Sequence, residues 1–135
     1  MRRQYHFRQS PDGLLAWDVH RLGRLAVDIN PDLVSIASIA EVDEDYWFKG
    51  GQLPTCRAVV AHMRLVNECD LSYPILLSDD WRVMDGMHRV AKALLHGQTH
   101  VLAKRFPRTP VPDHVGLHPD ALPYGDSEPQ ADSSA

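Results

Sequence analysis

The sequence lacks the features that would place it in a membrane or an export pathway. No apolar run approaches the ~20 residues that a membrane-spanning helix needs. Residues 1–6 carry charge, but no apolar segment follows them, so no secretory signal is visible. We therefore expect a cytoplasmic protein without membrane contacts.

Cysteine is scarce, since Cys56 and Cys69 are the only two in 135 residues. If both lie on one helix, they are about 20 Å apart along its axis, which is too far for a disulfide. Neither has a second cysteine at the spacing of a zinc or redox motif. We expect two buried, small apolar side chains there and no metal site.

A basic surface is also missing. The formal net charge is −4, and five of the 18 acidic residues but none of the 14 basic ones lie from Thr109 onward. Residues 1–108 thus carry 13 acidic against 14 basic side chains and are close to neutral. Proteins that bind duplex DNA cluster Lys and Arg on one face. We therefore do not expect a nucleic-acid partner.

What is present fits one small globular domain. Apolar residues make up 44% and charged residues 24% of the chain, as in ordinary soluble proteins. Residues 1–13 are polar and end in a Ser-Pro-Asp-Gly turn, and prolines recur from Pro107 onward. These patterns predict an N-terminal extension (1–13), one domain (14–115) and a disordered tail (116–135).

The periodicity predicts an α+β fold. Thr55 is a good N-cap, and apolar residues follow it at helical spacing, so residues 55–68 are predicted to form a helix with its apolar face in the core. Residues 14–30 fit either a helix or a strand near residues 16–22, and we favour the strand. Residues 33–40 fit a strand or a short buried helix. The predicted apolar stripe of the helix consists of Cys56, Val59, Val60, Met63 and Val66.

The most informative stretch runs from Tyr73 to Gly97. Two short apolar runs flank the polar turn 78–80, which predicts a β-hairpin. The second run ends at Asp85-Gly86, where helical spacing begins, and Gly97 ends that helix. Residues 99–106 are typical of another strand, and the strand–helix–strand order predicts that it joins the sheet of the hairpin.

His88 and Arg89 are therefore predicted to lie in the first turn of a helix. Free backbone N–H groups and the positive end of the helix dipole gather at such a turn. An imidazole and a guanidinium at the same place favour phosphate as the anion. The alternative is a structural helix start at which both side chains bond to neighbouring loops.

An acidic cluster, residues 41–45, precedes this region and is followed by three aromatic residues, 46–48. The cluster fits either a solvated loop or a loop that points one carboxylate into a site. The aromatic side chains either fill the core or form the wall of a pocket.

Residues 85–89, Asp-Gly-Met-His-Arg, resemble the signature of the ParB/sulfiredoxin-like superfamily. Its members place Gly-X-His-Arg or Gly-Glu-Arg-Arg at a strand-to-helix turn and hold nucleotide phosphates with it. The resemblance covers about Val34 to Phe106. It implies a small mixed sheet with flanking helices and a strand–turn–helix phosphate site.

Departures from the superfamily narrow what the resemblance implies. Sulfiredoxins carry their reactive cysteine where this chain has Met87, so reduction of cysteine sulfinic acid is not expected. Partition proteins bind CTP through Gly-Glu-Arg-Arg and continue into a helix-turn-helix domain, whereas a Pro-rich segment follows Phe106 here. The most similar version is the Asp-Gly-His-His-Arg motif of nucleotide-dependent serine kinases of this fold, in which Met87 replaces one histidine.

The resemblance implies a role for each residue of the turn. Gly86 and the backbone N–H groups of Met87 and His88, with the side chains of His88 and Arg89, form a cradle for the phosphates. Asp85 either coordinates Mg²⁺ or caps the helix.

Two basic residues outside the turn are further candidates, Lys92 for the same phosphates and Arg57 from its place in the helix alone, and the resemblance implies a base as well. Lys92 either reaches the same phosphates or faces solvent, and Arg57, in the first turn of the preceding helix, either contacts the ligand or is solvated. Glu41 is the implied general base, with Asp43 and Asp45 as substitutes.

The function implied is that of a nucleotide-binding ParB-like protein. Its cofactor is a nucleoside di- or triphosphate with Mg²⁺, and the serine-kinase version of the motif implies an ATP/ADP-dependent phosphotransferase acting on a small molecule. Such an enzyme needs a phosphate cradle, cations and a carboxylate that deprotonates the acceptor. The alternative is a non-catalytic nucleotide-binding module, for CTP or ATP, that acts as a switch or binds a partner, because the motif itself needs only phosphates.

Overall fold

The computed structural model of the chain describes residues 3–125. The described residues divide into two compact units, one formed by residues 3–28 and 109–125, the other by Ile29–Arg108. This division differs from the predicted single domain 14–115, because the N-terminal hairpin pairs with a strand far away in the sequence. The α+β class is confirmed.

Two small sheets and three α-helices make up the described residues. In chain order the elements are β1 (Tyr5–Ser10), β2 (Gly13–Asp18), α1 (Val19–Leu25), β3 (Asp32–Ser35), two 3₁₀ turns (Ile36–Ser38 and Ala40–Asp43), α2 (Cys56–Glu68), β4 (Ile75–Leu77), β5 (Val83–Asp85), α3 (Met87–Leu95), β6 (His100–Arg105), β7 (His114–Val115) and a third 3₁₀ turn (Pro119–Ala121). None of the helices within residues 3–125 is long and apolar enough to cross a membrane.

The first unit is built on the β1–β2 hairpin, with β7 added antiparallel to β2. Asp18 ends β2 and caps α1, because its carboxylate accepts hydrogen bonds from the N–H groups of His20 and Arg21. Residues 14–30 thus contain both the strand and the helix that the pattern allowed. The strand and the helix are each shorter than the single element that was predicted for this segment.

The segment 116–125, which was predicted to be disordered, is held in the first unit. The Gly116 N–H donates to the Leu14 carbonyl, and the N–H of Arg3 donates to the carbonyl of Tyr124. Leu122 is buried. These backbone bonds and one apolar anchor give the segment an ordered place in spite of its prolines. The rest of the predicted tail, 126–135, lies outside the described residues.

The second unit carries a four-stranded sheet in the order β3-β6-β4-β5. Strands β4 and β5 pair antiparallel, which confirms the predicted hairpin. Strand β6 returns after α3 and pairs parallel to β4, so the predicted strand–helix–strand crossover is confirmed as well. On its other side β6 pairs antiparallel with β3.

The core of the second unit lies between this sheet and α3. Ile75, Leu77 and Val83 from the hairpin pack with Val90 and Ala93 from α3, and all five are fully or almost fully buried. The first 3₁₀ turn adds Ile36, and Ile39 lies between the two turns, with Tyr46 and Trp47 packed against the cluster. The start of α3 is therefore fixed by a rigid core on the side of Met87.

Helix α2 forms where it was predicted, with Thr55 accepting from the Ala58 N–H as N-cap. The prediction that its apolar stripe lies in the core is wrong. Val59, Val60 and Met63 are 38%, 46% and 55% exposed, Cys56 is exposed too, and only Val66 of the stripe is buried. The half-buried or buried residues of α2 instead follow the row 58, 62 and 66, which faces α3.

Candidate functional site

The turn between β5 and α3 has the backbone geometry expected of an anion site. Gly86 has φ +101° and serves as the N-cap of α3, with no side chain to bond to the first-turn N–H groups. The N–H groups of Arg89 and Val90 both donate to the Gly86 carbonyl. Those of Met87 and His88 have no acceptor within the helix and are the donors that the turn offers.

Glycine is required at position 86 for two separate reasons. The positive φ disfavours any residue with a Cβ atom. A Cβ there would also lie 2.7 Å from Nη2 of Arg89 and 2.8 Å from Cγ2 of Ile75. The Arg89 side chain therefore folds back over the turn, into space that a larger residue at 86 would occupy.

The Arg89 side chain is held in place by its neighbours, but not all of its hydrogen-bond donors have an acceptor. Its Nη2 donates to the Pro74 carbonyl at 3.2 Å and lies 3.4 Å from Oδ2 of Asp85. Its Nε is buried and contacts no hydrogen-bond acceptor among the described residues. A guanidinium N–H donor that is buried without an acceptor costs about 1–3 kcal/mol. The site thus has one strong donor unused at the turn.

His88 and His62 form a pair that joins α3 to α2. Nε2 of His88 and Nδ1 of His62 are 2.8 Å apart, while the ring centroids are 5.1 Å apart with planes 22° from parallel. The two rings therefore meet edge to edge through a nitrogen–nitrogen hydrogen bond. Trp47 stacks on both rings, with centroids 4.9 Å from His88 and 4.7 Å from His62.

This environment keeps His88 neutral near pH 7. Burial, together with the neighbouring His62 and Arg89, lowers its pKa to about 4. Burial also lowers the pKa of His62. A half-buried imidazole beside a guanidinium does not take up a second proton near pH 7, so His88 is a neutral side chain of the turn. Arg89 is the one cation of the Gly86–Arg89 turn.

Glu41, the implied general base, is 98% buried within the second unit. Its Oε2 accepts from the Val83 N–H at 2.7 Å and lies 3.2 Å from Nε of Arg82. Arg82 also makes a bidentate pair with Glu44, at 3.0 and 2.7 Å, and this guanidinium lowers the pKa of the Glu44 carboxyl. Glu41 thus anchors the acidic segment to β5. Asp43, its substitute, is exposed.

The other cationic candidates lie apart from the turn. Lys92 donates through Nζ to the carbonyls of Asn67 and Cys69, at 3.0 and 2.7 Å, at the end of α2. Arg57 is exposed on α2. Five residues along a helix correspond to about 140° of rotation, so Arg57 points away from the side that carries His62. Asp85 pairs with Arg89 and does not cap α3, since the N-cap is Gly86.

Sequence reasoning missed His62 and did not assign Trp47. A signal for His62 was present, because it lies four residues from both Ala58 and Val66, on the row that meets α3. The three aromatics were recognised, and Trp47 proves both to pack against the core and to cover the histidine pair. Within residues 3–125, no three His, Cys, Asp or Glu side chains are grouped as a metal site.

Comparison with known proteins adds no relative. No protein-family model, curated protein or solved structure matches this chain.

Proposed function

We propose that the chain binds the phosphates of a nucleotide at the turn Gly86–Arg89. Two features of the turn carry this proposal. The N-cap of α3 is Gly86, which has no side chain to bond to the first-turn N–H groups, and the adjacent Arg89 has a buried Nε without an acceptor. Backbone N–H groups, the helix dipole and a guanidinium favour the same ligand, a phosphate group. The resemblance of residues 85–89 to the ParB/sulfiredoxin-like signature supports a nucleotide as the source of that phosphate.

The charges of the turn favour a nucleotide that arrives with Mg²⁺. Asp85 lies 3.4 Å from Arg89 and reduces the net positive charge that a bare phosphate would meet. A divalent ion bound to the phosphates attracts this carboxylate and removes the repulsion. Asp85 would then supply one oxygen to the ion, while Arg89 is free to bind phosphate oxygens.

Two activities fit this binding site. An ATP/ADP-dependent phosphotransferase acting on a small molecule needs a carboxylate that accepts the proton of the substrate hydroxyl. A non-catalytic switch or partner-binding module needs only the phosphates. Oε2 of Glu41 is taken by the Val83 N–H and Arg82, and Oε1 has no hydrogen-bond partner among the described residues but is buried away from a substrate. The burial of this carboxylate favours the second activity.

Thermal unfolding in the presence of nucleotides tests the binding proposal. A ligand that binds only the folded state raises the Tm, so ATP, ADP or CTP with Mg²⁺ is expected to stabilise the protein. Arg89→Ala is expected to abolish this shift. Arg64→Ala, which removes an exposed arginine of α2, is the matched control and is expected to keep it. Absence of a shift with every nucleotide contradicts the proposal.

A transfer assay separates the two activities. Purified protein is incubated with γ-labelled ATP and Mg²⁺ against a panel of amino acids and other small hydroxyl compounds. Phosphorylated product that disappears in Arg89→Ala supports the phosphotransferase. Nucleotide binding without hydrolysis or transfer supports the switch module.

A further inference from the structure

The outer face of α2 is apolar but uncovered. Helix geometry places Val59, Met63, Cys56 and Val60 next to one another within an arc of about 100°. The row that contacts α3, residues 58, 62 and 66, lies beside this arc and not within it. Contiguous exposed apolar surfaces of this kind, here about two turns of helix long, are typical of interaction sites.

Two arginines border this face. Arg64 and Arg57 follow Val60 around the helix, about two turns apart from each other on the same side. Arg57, Val60 and Arg64 line one open depression together with Cys56 and Ala61. Among residues 3–125, neither arginine forms an ion pair, whereas Arg82 and Arg89 are both paired with carboxylates. The face therefore presents an apolar strip with an uncompensated positive edge.

A second copy of the chain fits this face poorly. In an antiparallel pair of α2 helices centred between Val60 and Ala61, Arg57 meets Arg64 of the other copy. A shift of the centre to His62–Met63 brings Glu68 opposite Arg57 but places Arg64 opposite Ala61, so Arg64 gains no acidic partner. Glu68 is the only acidic residue of α2, so at least one arginine of each copy stays without an opposite charge in either register.

A membrane surface also fits poorly. Helices that lie on membranes combine several Lys or Arg residues with large apolar side chains such as Trp, Phe and Leu. The uncovered arc of α2 offers Cys, two Val and one Met beside only two cations.

We propose that this face of α2 docks an acidic amphipathic helix of a partner protein. Such a helix lays its apolar side on Val59, Val60 and Met63, as in other helix-in-groove complexes, and Glu or Asp residues along its edge pair with Arg57 and Arg64. Opposite charges at the border set the orientation and exclude basic helices. The proposal is independent of nucleotide binding at the start of α3.

Two designed helical peptides provide the test. Both carry Leu at the a and d positions of three heptads; one has Glu and the other Lys at e and g. Fluorescence anisotropy of the labelled peptides with the full chain is expected to show saturable binding of the Glu peptide and at least about 10-fold weaker binding of the Lys peptide. The double variant Arg57→Glu/Arg64→Glu is expected to reverse this preference, and Met63→Asp to abolish binding of both.

Each alternative occupant gives a distinct result that overturns the proposal. Equal affinity for the two peptides, or no binding of either, shows that the charged border does not select a partner. A concentration-dependent dimer in sedimentation that Met63→Asp dissociates shows that a second copy covers the face. Sedimentation with anionic phospholipid vesicles that Met63→Asp prevents shows that lipid does. Circular dichroism and an unchanged Tm verify that the variants fold.

Discussion

Nδ1 of His62 and Nε2 of His88 lie 2.8 Å apart, so one of these two nitrogens must lack a proton. At least one imidazole of the pair is therefore neutral whenever the contact is made. The pair connects α2 to the first turn of α3, immediately before Arg89. This contact between the two helices is lost when acid protonates both rings.

Acid should weaken the folded state through His88. Its pKa is about 4 in the folded protein and near 6.5 when unfolded, so between these values the unfolded chain binds more protons. The contribution of neutral His88 to the free energy of unfolding is fully present above pH 6.5, and it is lost as the pH is lowered from 6.5 to 4. We expect a loss of about 2 kcal/mol after allowing for the partial solvation of the ring.

Chemical denaturation at pH 7 and pH 4.5 checks this prediction. His88→Gln removes the titrating group. The unfolding free energy of this variant should therefore fall less between pH 7 and pH 4.5 than that of the wild type, and the difference is the contribution of His88. An NMR titration that gives His88 a pKa near 6.5 contradicts the account of the pair.

Gly86→Ala should damage both the fold and the site. The positive φ costs about 1–2 kcal/mol for a residue with a Cβ atom, and the added Cβ pushes against Arg89 and Ile75. Gly97→Ala is the matched control, since Gly97 has φ +74° but open space around its Cβ position. We expect the two variants to share the backbone cost, and only Gly86→Ala to lose the nucleotide-induced rise in Tm. Equal nucleotide responses in both variants speak against a site at the turn.

Glu41→Ala should lower the stability of the fold. It leaves the buried Val83 N–H without its acceptor and breaks the contact with Arg82, which we expect to cost about 2–3 kcal/mol. Urea unfolding measures this cost, and calorimetry measures nucleotide affinity, which should be unchanged. If Glu41→Gln retains stability but loses phosphate transfer in an active wild type, Glu41 is the general base after all.

Lys92→Met should weaken the end of α2 and leave nucleotide binding intact. The ammonium group donates to the carbonyls of Asn67 and Cys69, where the helix dipole is negative. The methionine keeps the apolar stem but not the charge, and we expect a loss of about 1 kcal/mol in unfolding free energy. A loss of nucleotide affinity at unchanged stability points to contact between Lys92 and the phosphates.

The region from β4 to β6 could be predicted because local signals agreed there. Three local signals each mark the end of an element to within a few residues: the polar turn 78–80, the Asp85-Gly86 break and Gly97. The positions of the backbone donors at Met87 and His88 follow directly from that agreement.

The surroundings of α2 could not be predicted in the same way. Apolar residues cover more than half of the circumference of α2, so the sequence does not indicate which side meets α3. The side predicted to lie in the core is the exposed one. The protonation state of His88 depends on His62 and Trp47, which lie 26 and 41 positions earlier in the sequence. The burial of Glu41 likewise depends on its pairing with Arg82, 41 residues later.

The central claim is that the backbone N–H groups of Met87 and His88, with Arg89, hold nucleotide phosphates. A ¹H–¹⁵N NMR titration with Mg²⁺-ATP, Mg²⁺-ADP and Mg²⁺-CTP observes those N–H groups themselves. At least one nucleotide is predicted to give saturable shifts that are largest for the amides of residues 86–89 and for Nε–H of Arg89, and that vanish in Arg89→Ala. Saturable shifts confined to other parts of the chain, or no shifts with any of the three, would contradict the claim.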